Sequence, residues 1–165
     1  FTEVIRSALS KKYNVRGYVS CVTDCPYDGP TQPDEVIRVA LKLLELGCYE
    51  ISLGDTIGAA TPETTDRLIG SMLNYMSADL LAGHFHDTKG HALENIAVCL
   101  DYGIRTFDSS VGGLGGCPYA EGAKGNVDTV LVVDMLEKLR FDTGIDVLKL
   151  EQTAKFAKSL VEDSK

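Results

Sequence analysis

The feature that most constrains the fold is an alternation between two kinds of segment. Short apolar runs rich in β-branched and aromatic residues take turns with longer stretches whose apolar residues recur every third or fourth position. The short runs are VRGYVSCV (15–22), YEISLGD (49–55), LLAGHFHD (80–87) and RTFDSSV (105–111). Their length and near-continuous apolar character predict strands buried on both faces, as in parallel sheets. The longer stretches predict helices. Thr2 to Lys12 puts Val4, Ile5, Ala8 and Leu9 on one face, and Pro33 to Leu46 turns Val36, Ile37, Ala40, Leu41 and Leu44 inward. A third helix begins at TPET, with Thr61 as N-cap, Pro62 as first helical residue and Leu68, Ile69, Met72, Leu73 and Met76 as the buried stripe. A fourth covers Ala92 to Tyr102, and two more follow near Val127 to Leu139 and Asp146 to Val161. Gly47 and Gly103 follow helices where a left-handed C-terminal cap is expected.

Strands alternating with helices define the α/β class with a parallel sheet. Two architectures satisfy the order: a doubly wound open sheet, or four β/α units of a (β/α)₈ barrel. Both gather their chemistry at the carboxyl ends of the strands. A chain of 165 residues fits one domain but falls short of the roughly 250 that a whole barrel needs. Residues 1–165 are therefore expected to form a single domain or a partial barrel.

The net charge of −8 excludes a general nucleic-acid binder, which needs a basic face. It also means that an anionic substrate needs a local cation or placed lysines. No apolar run approaches the ~20 residues of a membrane span. The opening FTEVIRSALSKK lacks the charged start and apolar stretch of a signal peptide, and a start at Phe1 rather than Met is expected of a piece of a longer chain. Five cysteines, an odd count with no disulfide-framework spacing, predict reduced thiols in an intracellular compartment. Cys21 and Cys25 lack a second cysteine pair or a nearby histidine, which favours packing or loop placement over a metal clamp.

Each strand closes on polar residues. The second ends in Asp55, the third in His84, Phe85, His86 and Asp87, and the fourth in Asp108, Ser109 and Ser110. Residues i and i+2 of a strand share a face, so His84 and His86 project together with Phe85 opposite. Two imidazoles on one face suit a shared metal ion; a satisfied core pair is the alternative, and placement at a strand's carboxyl end favours the metal. His91 lies beyond the strand and reads as a surface or helix-start residue. Asp55 reads equally as a base, ligand or orienter and as a loop-fixing carboxylate. The segment 111–126 holds six of the 16 glycines yet matches neither the P-loop nor the dinucleotide fingerprint. A closing lid fits it better, with Cys117 either as a reactive thiol or as a small residue packed in a turn. The carbonyl oxygen of Asn126 suits a hard divalent cation, and two imidazoles plus oxygens fit Mg²⁺, Mn²⁺ or Zn²⁺. An Asn after Gly is otherwise a turn or N-cap residue. Lys89 and Lys124 are candidates for substrate phosphates, although solvated lysines are the commoner case. A zinc hydrolase needs further histidines on later strands, and none follows His91.

Taken together, "GCYEISLGDTIG", "HFHDTKG", "SSVGGLGGCPYAEGAKGN" and "VRGYVSCVTDCPYDG" resemble the 3-hydroxy-3-methylglutaryl-CoA lyase family, a group of metal-dependent (β/α)₈ barrels. The likeness runs over nearly the whole chain, and "GLGGCPYA" is its most specific part. Related Claisen-condensing synthases share His-x-His but typically continue with Asn-Asp where this chain has Asp87 and Thr88. The resemblance implies that the chain corresponds to strands five to eight of such a barrel. It further implies a divalent cation (Mg²⁺ or Mn²⁺ before Zn²⁺) held by His84, His86 and Asn126, with Cys117 as catalytic thiol and Asp55 as catalytic or orienting acid. The implied reaction splits 3-hydroxy-3-methylglutaryl-CoA into acetyl-CoA and acetoacetate, in bacterial cytoplasm or mitochondrial matrix, with little or no activity expected of these 165 residues alone; a non-catalytic half-barrel or a related Claisen-condensing acyl-CoA synthase is the alternative. The implied partners are an acyl-CoA substrate and either a second copy or the other half of the barrel, with no nucleic acid and no membrane. The chain also departs from the family. The first-strand Arg-Asp pair has no counterpart here, a glutamate that some relatives carry is Val130, and Lys89 and His91 stand where Tyr and Gln are common.

Overall fold

The computed structural model describes residues 1–116 and 125–162. Four strands, β1 (Arg16–Ser20), β4 (Glu50–Asp55), β5 (Leu81–Phe85) and β6 (Thr106–Asp108), form one parallel sheet in the order β1-β4-β5-β6. Strands that follow one another in sequence lie side by side. A doubly wound sheet reverses its strand order at a switch point, and no reversal occurs here. The remaining pair, β2 (Asp24–Cys25) with β3 (Gly29–Pro30), is a small antiparallel ladder between β1 and the next helix. Two-residue strands are too short to show any periodicity, so the sequence reading missed them.

The helices are α1 (Thr2–Ser10), α2 (Pro33–Glu45), α3 (Pro62–Met72), α4 (Ala92–Asp101), α5 (Thr129–Lys138) and α6 (Val147–Glu162). Their starts follow local chemistry. Thr61 caps α3: its hydroxyl accepts from the Thr64 N–H, the Thr64 hydroxyl accepts from the Thr61 N–H, and Pro62 sits in the first turn. Asp128 caps α5 by accepting from the Val130 N–H. Gly47 and Gly103 take φ of +102° and +89° after α2 and α4, as a left-handed cap requires.

The core lies between the sheet and helices α2, α3 and α4. Val36, Ile37 and Ala40 of α2, Leu68, Ile69 and Met72 of α3, and Ile96 and Cys99 of α4 are buried with Val19, Ile51, Leu53, Leu81 and Phe85 of the strands. Each fully buried large aliphatic contributes about 1.5–3 kcal/mol. The first helix departs from expectation: only Ile5 is buried, while Val4 is 72% exposed. An edge strand, β1, offers α1 too little neighbouring surface to cover its whole apolar face. Three strands end before the predicted runs do, and one of them, β5, stops at Phe85, leaving His86 in an isolated bridge to Asn126. Cys21, at φ +57°, breaks β1 after Ser20, and β6 stops at Asp108 because the chain turns into a 3₁₀ segment at Val111–Gly113.

The register assigns the two faces. In a parallel ladder, paired residues point to the same side. Gly17, Val19, Ile51, Leu53, Leu81 and Phe85 face the helices. Arg16, Tyr18, Glu50, Ser52, His84 and Asp108 share the other face. Arg16 on one edge strand reaches Asp108 on the other, with Nη1 2.7 Å from Oδ1. In a flat sheet those edges stand at least about 14 Å apart. The sheet is therefore curled toward its polar face, as a barrel wall is.

Candidate functional site

Along the curled face runs a connected set of polar side chains drawn from all four strands, from Arg16 and Glu50 at the amino ends of β1 and β4 to His84 and Asp108 near the carboxyl ends of β5 and β6. Arg16 on β1 pairs through Nη1 with Asp108 Oδ1 and through Nε with Glu50 Oε1, at 2.7 and 3.1 Å. Ser52 Oγ donates to Asp108 Oδ2 at 2.8 Å. His84 Nδ1 lies 3.2 Å from that same oxygen. The Tyr18 ring meets the His84 ring edge-on, with centroids 6.2 Å apart. Burial works to raise the Asp108 carboxyl pKa, but hydrogen bonds from His84, Arg16 and Ser52 and the guanidinium charge overcome it and hold the group well below the ordinary carboxylate range.

His84 and His86 sit together as the strand period predicts. Their ring centroids are 5.4 Å apart with planes tilted by 50°. His86 continues β5 through an isolated antiparallel bridge to Asn126. Burial, followed by the neighbouring His84, pushes the His86 imidazole below its usual pKa; a side-chain hydrogen bond with Asn126 acts the other way. Asn126 is fixed from its other side, its Nδ2 donating to the Leu114 carbonyl at 3.1 Å. The structure thus brings His84, His86 and Asn126 to one rim.

The glycine-rich segment closes at its base beside this group. The Asn126 N–H donates to Gly115 O at 3.4 Å and the Asp87 N–H to Gly125 O at 2.7 Å. A side chain on Gly125 (φ +70°) would run into the Gly115 carbonyl, so only glycine permits the approach. Cys117 and Lys124 lie outside the described residues. His91 stands half-buried at the start of α4 with Nδ1 2.7 Å from Glu94 Oε2, and Lys89 is exposed.

Asp55 stands apart from the histidines. It pairs in register with Phe85, one residue out of phase with His84, so its side chain faces the helices. It is 1% exposed, and its oxygens accept from the Ala59 and Ala60 N–H groups at 3.0 and 3.2 Å. Burial raises its pKa from 3.8 to about 6, against the lowering effect of those amide hydrogen bonds. The loop it holds touches the site. Asn95 Nδ2 donates to the Ala60 carbonyl at 3.1 Å. Gly58, at φ +62°, leaves no space for a Cβ, which would meet Thr88 Oγ1 at 2.6 Å and the His86 carbonyl at 2.9 Å.

The donor set fits a divalent cation. His84 has one nitrogen engaged by Asp108 and the other left for a ligand. His86 Nδ1 is buried without a hydrogen-bond partner. Asn126 donates from its amide nitrogen to the Leu114 carbonyl and shares a side-chain hydrogen bond with His86, which sets its amide oxygen beside that ring. The described residues hold no group of three His, Cys, Asp or Glu side chains able to grip a metal unaided. A cation here thus relies on the amide oxygen and on donors from elsewhere. Sequence reasoning gave Asp108 no role beyond closing a strand, and it passed over Arg16, Glu50 and Ser52. The signal was present: Arg16-x-Tyr18-x-Ser20 and Glu50-x-Ser52-x-Gly54 place polar or small residues at every second position of runs read as continuously apolar.

A curled parallel sheet, with paired histidines on its polar face at the strands' carboxyl ends, defines a segment of a (β/α)₈ barrel with a candidate metal centre. The chain belongs to the HMGL-like family, whose model matches residues 1–157. It is 51% identical over 152 residues to the hydroxymethylglutaryl-CoA lyase of Pseudomonas mevalonii, covering 92% of this chain and 50% of that protein. The solved HMG-CoA lyase of Brucella melitensis superposes with a TM-score of 0.94 at 53% identity, covering 96% of this chain and 56% of that one. An HMG-CoA lyase of Acinetobacter baumannii, solved with coenzyme A and 3-methylmalate, superposes at 0.90 with 36% identity, covering 98% and 53%. The chain spans about half the length of the curated relatives it matches. No helix among the described residues is long and apolar enough to cross a membrane.

Proposed function

We propose that this chain supplies the carboxyl-terminal half of the active site of a divalent-cation-dependent carbon–carbon lyase, which cleaves 3-hydroxy-3-methylglutaryl-CoA to acetyl-CoA and acetoacetate. The observation that carries the reading is the convergence of His84, His86 and Asn126 at one rim, in a chain about half identical to a lyase of that name. Bound there, Mg²⁺ or Mn²⁺, less readily Zn²⁺, would polarise the substrate's tertiary hydroxyl and lower its pKa. His84, His86 and Asn126 would hold the ion. Loss of the hydroxyl proton forms the ketone of acetoacetate as the bond to the thioester-bearing carbon breaks, leaving the acetyl-CoA enolate. Cys117, two residues beyond the Gly115 that anchors Asn126, would return a proton to that enolate carbon while its segment excludes water.

Asp55 enters this scheme as the residue that holds the 55–60 loop against His86 and Thr88. Its orientation toward the helices suits that role better than a base's. The remaining donors to the cation, and the group receiving the hydroxyl proton, would come from the other half of the barrel, joined in the same polypeptide or as a partner; a second copy of the chain is the alternative. The acyl-CoA would be met in bacterial cytoplasm or the mitochondrial matrix. The chain alone is then expected to turn over slowly or not at all. Co-expression with the amino-terminal half of the Pseudomonas mevalonii enzyme should restore acetyl-CoA release with Mg²⁺, and Cys117→Ala should abolish it. A reconstituted, folded assembly that releases no acetyl-CoA from the substrate would contradict the reading.

A further inference from the structure

We propose that Asp108, clamped by Arg16 and Ser52, is a positioning residue that selects the tautomer of His84 and so presents the Nε2 lone pair to a cation. The inference rests on the cation site proposed above.

An ionised carboxylate accepts hydrogen bonds and has none to give. Asp108 Oδ2 already takes the Ser52 hydroxyl at 2.8 Å and lies 3.2 Å from His84 Nδ1. That contact is a hydrogen bond only if Nδ1 carries the proton. In the neutral ring, Nε2 is then bare, which is the state a metal ligand needs. The carboxylate cannot turn away, because Arg16 Nη1 holds Oδ1 at 2.7 Å. Arg16 is itself held by Glu50 through Nε at 3.1 Å. The Tyr18 ring meets the imidazole edge-on, with centroids 6.2 Å apart. Residues from the three other strands therefore converge on the orientation of one β5 imidazole. A salt bridge whose work was only to join β1 to β6 would have no need of the Ser52 and His84 contacts.

The proposal makes an isosteric substitution more damaging than its size suggests. Arg16 only donates. In Asp108→Asn the amide oxygen must therefore face Arg16, and the amide nitrogen faces Ser52 and His84. That nitrogen donates, so Nδ1 must accept, and the ring proton moves to Nε2, where it blocks ligation. Shape and packing hardly change, yet the tautomer inverts.

The test uses the chain labelled with ¹⁵N-histidine, with two-bond ¹H–¹⁵N spectra recorded well above the ordinary imidazole pKa of about 6.5, and Mn²⁺ binding followed in parallel. His84 is assigned by its loss in His84→Gln. The expected result is a proton on Nδ1 in the wild type and on Nε2 in Asp108→Asn, with Mn²⁺ binding weakened on the order of 10–100-fold in the variant. A wild-type His84 already protonated on Nε2 overturns the proposal without recourse to any variant. An Asp108→Asn chain with wild-type tautomer and wild-type Mn²⁺ affinity overturns it too. If the wild type takes up no Mn²⁺, the spectra decide alone: the cation reading fails, while an inversion of the tautomer still upholds the positioning role.

Discussion

Asp55 and Asp108 each end a strand of the same sheet, and the two faces treat them oppositely. Asp55 is turned to the helices, held by two backbone amides, and its pKa is raised to about 6 by burial. Asp108 is turned to the polar face and held by a guanidinium, a hydroxyl and an imidazole; burial resists, yet its pKa falls well below the ordinary range. Strand parity alone decides which environment a carboxylate enters. One face builds the molecule and the other equips it: substitutions facing the helices should cost stability, and substitutions on the polar face should cost ligand binding.

The largest expected effect lies on the helix side. Ile51 is fully buried in β4, and Ile51→Ala should cost about 2–5 kcal/mol, read as a lowered urea midpoint. Mn²⁺ affinity per folded chain should stay near that of the wild type. A larger loss of affinity than of stability would break the separation between the faces.

Asp55 sharpens the contrast through pH. Its folded pKa of about 6 exceeds the ordinary 3.8, so the folded state holds the proton to higher pH than the unfolded chain. The stability this group contributes is complete below 3.8 and is lost as pH rises through about 6. The difference is on the order of 3 kcal/mol. Asp55→Asn, compared with wild type in urea titrations across that window, should remove this downward slope. Parallel curves for the two proteins would show that Asp55 is not the titrating group.

Gly58 tests where the two faces meet. Its φ of +62° and the closeness of a Cβ to Thr88 and the His86 carbonyl make alanine strained there. Gly58→Ala should cost about 1–3 kcal/mol and, unlike Ile51→Ala, should also weaken Mn²⁺ binding by shifting His86. Calorimetric titration alongside thermal melts separates the two effects. A loss of stability with full affinity would mean that the loop does not support the histidine.

Much of this was legible in the sequence, for identifiable reasons. The strand and helix alternation showed because the helices carry amphipathic stripes, as α2 and α3 do, and because Thr61, Pro62, Gly47 and Gly103 punctuate them. The histidine pair showed because the two-residue period of a strand needs no tertiary knowledge. Arg16 and Glu50 did not show, because apolar neighbours masked their alternation and because their partners lie on strands far away in sequence. The orientation of Asp55 stayed open for a related reason. Its strand was known but its register was not, and one residue of phase separates the site from the core. The exposed face of α1 was missed because the burial of an amphipathic helix depends on what its edge strand has beside it.

Mn²⁺ paramagnetic resonance shows whether the polar rim is a cation site. Titrating the chain into Mn²⁺ should quench the free-ion signal to a plateau near one ion per chain, and the His84→Ala, His86→Ala double variant, folded by circular dichroism, should leave it unquenched. Equal quenching by the wild type and the double variant, or none by the wild type, would contradict a cation site there.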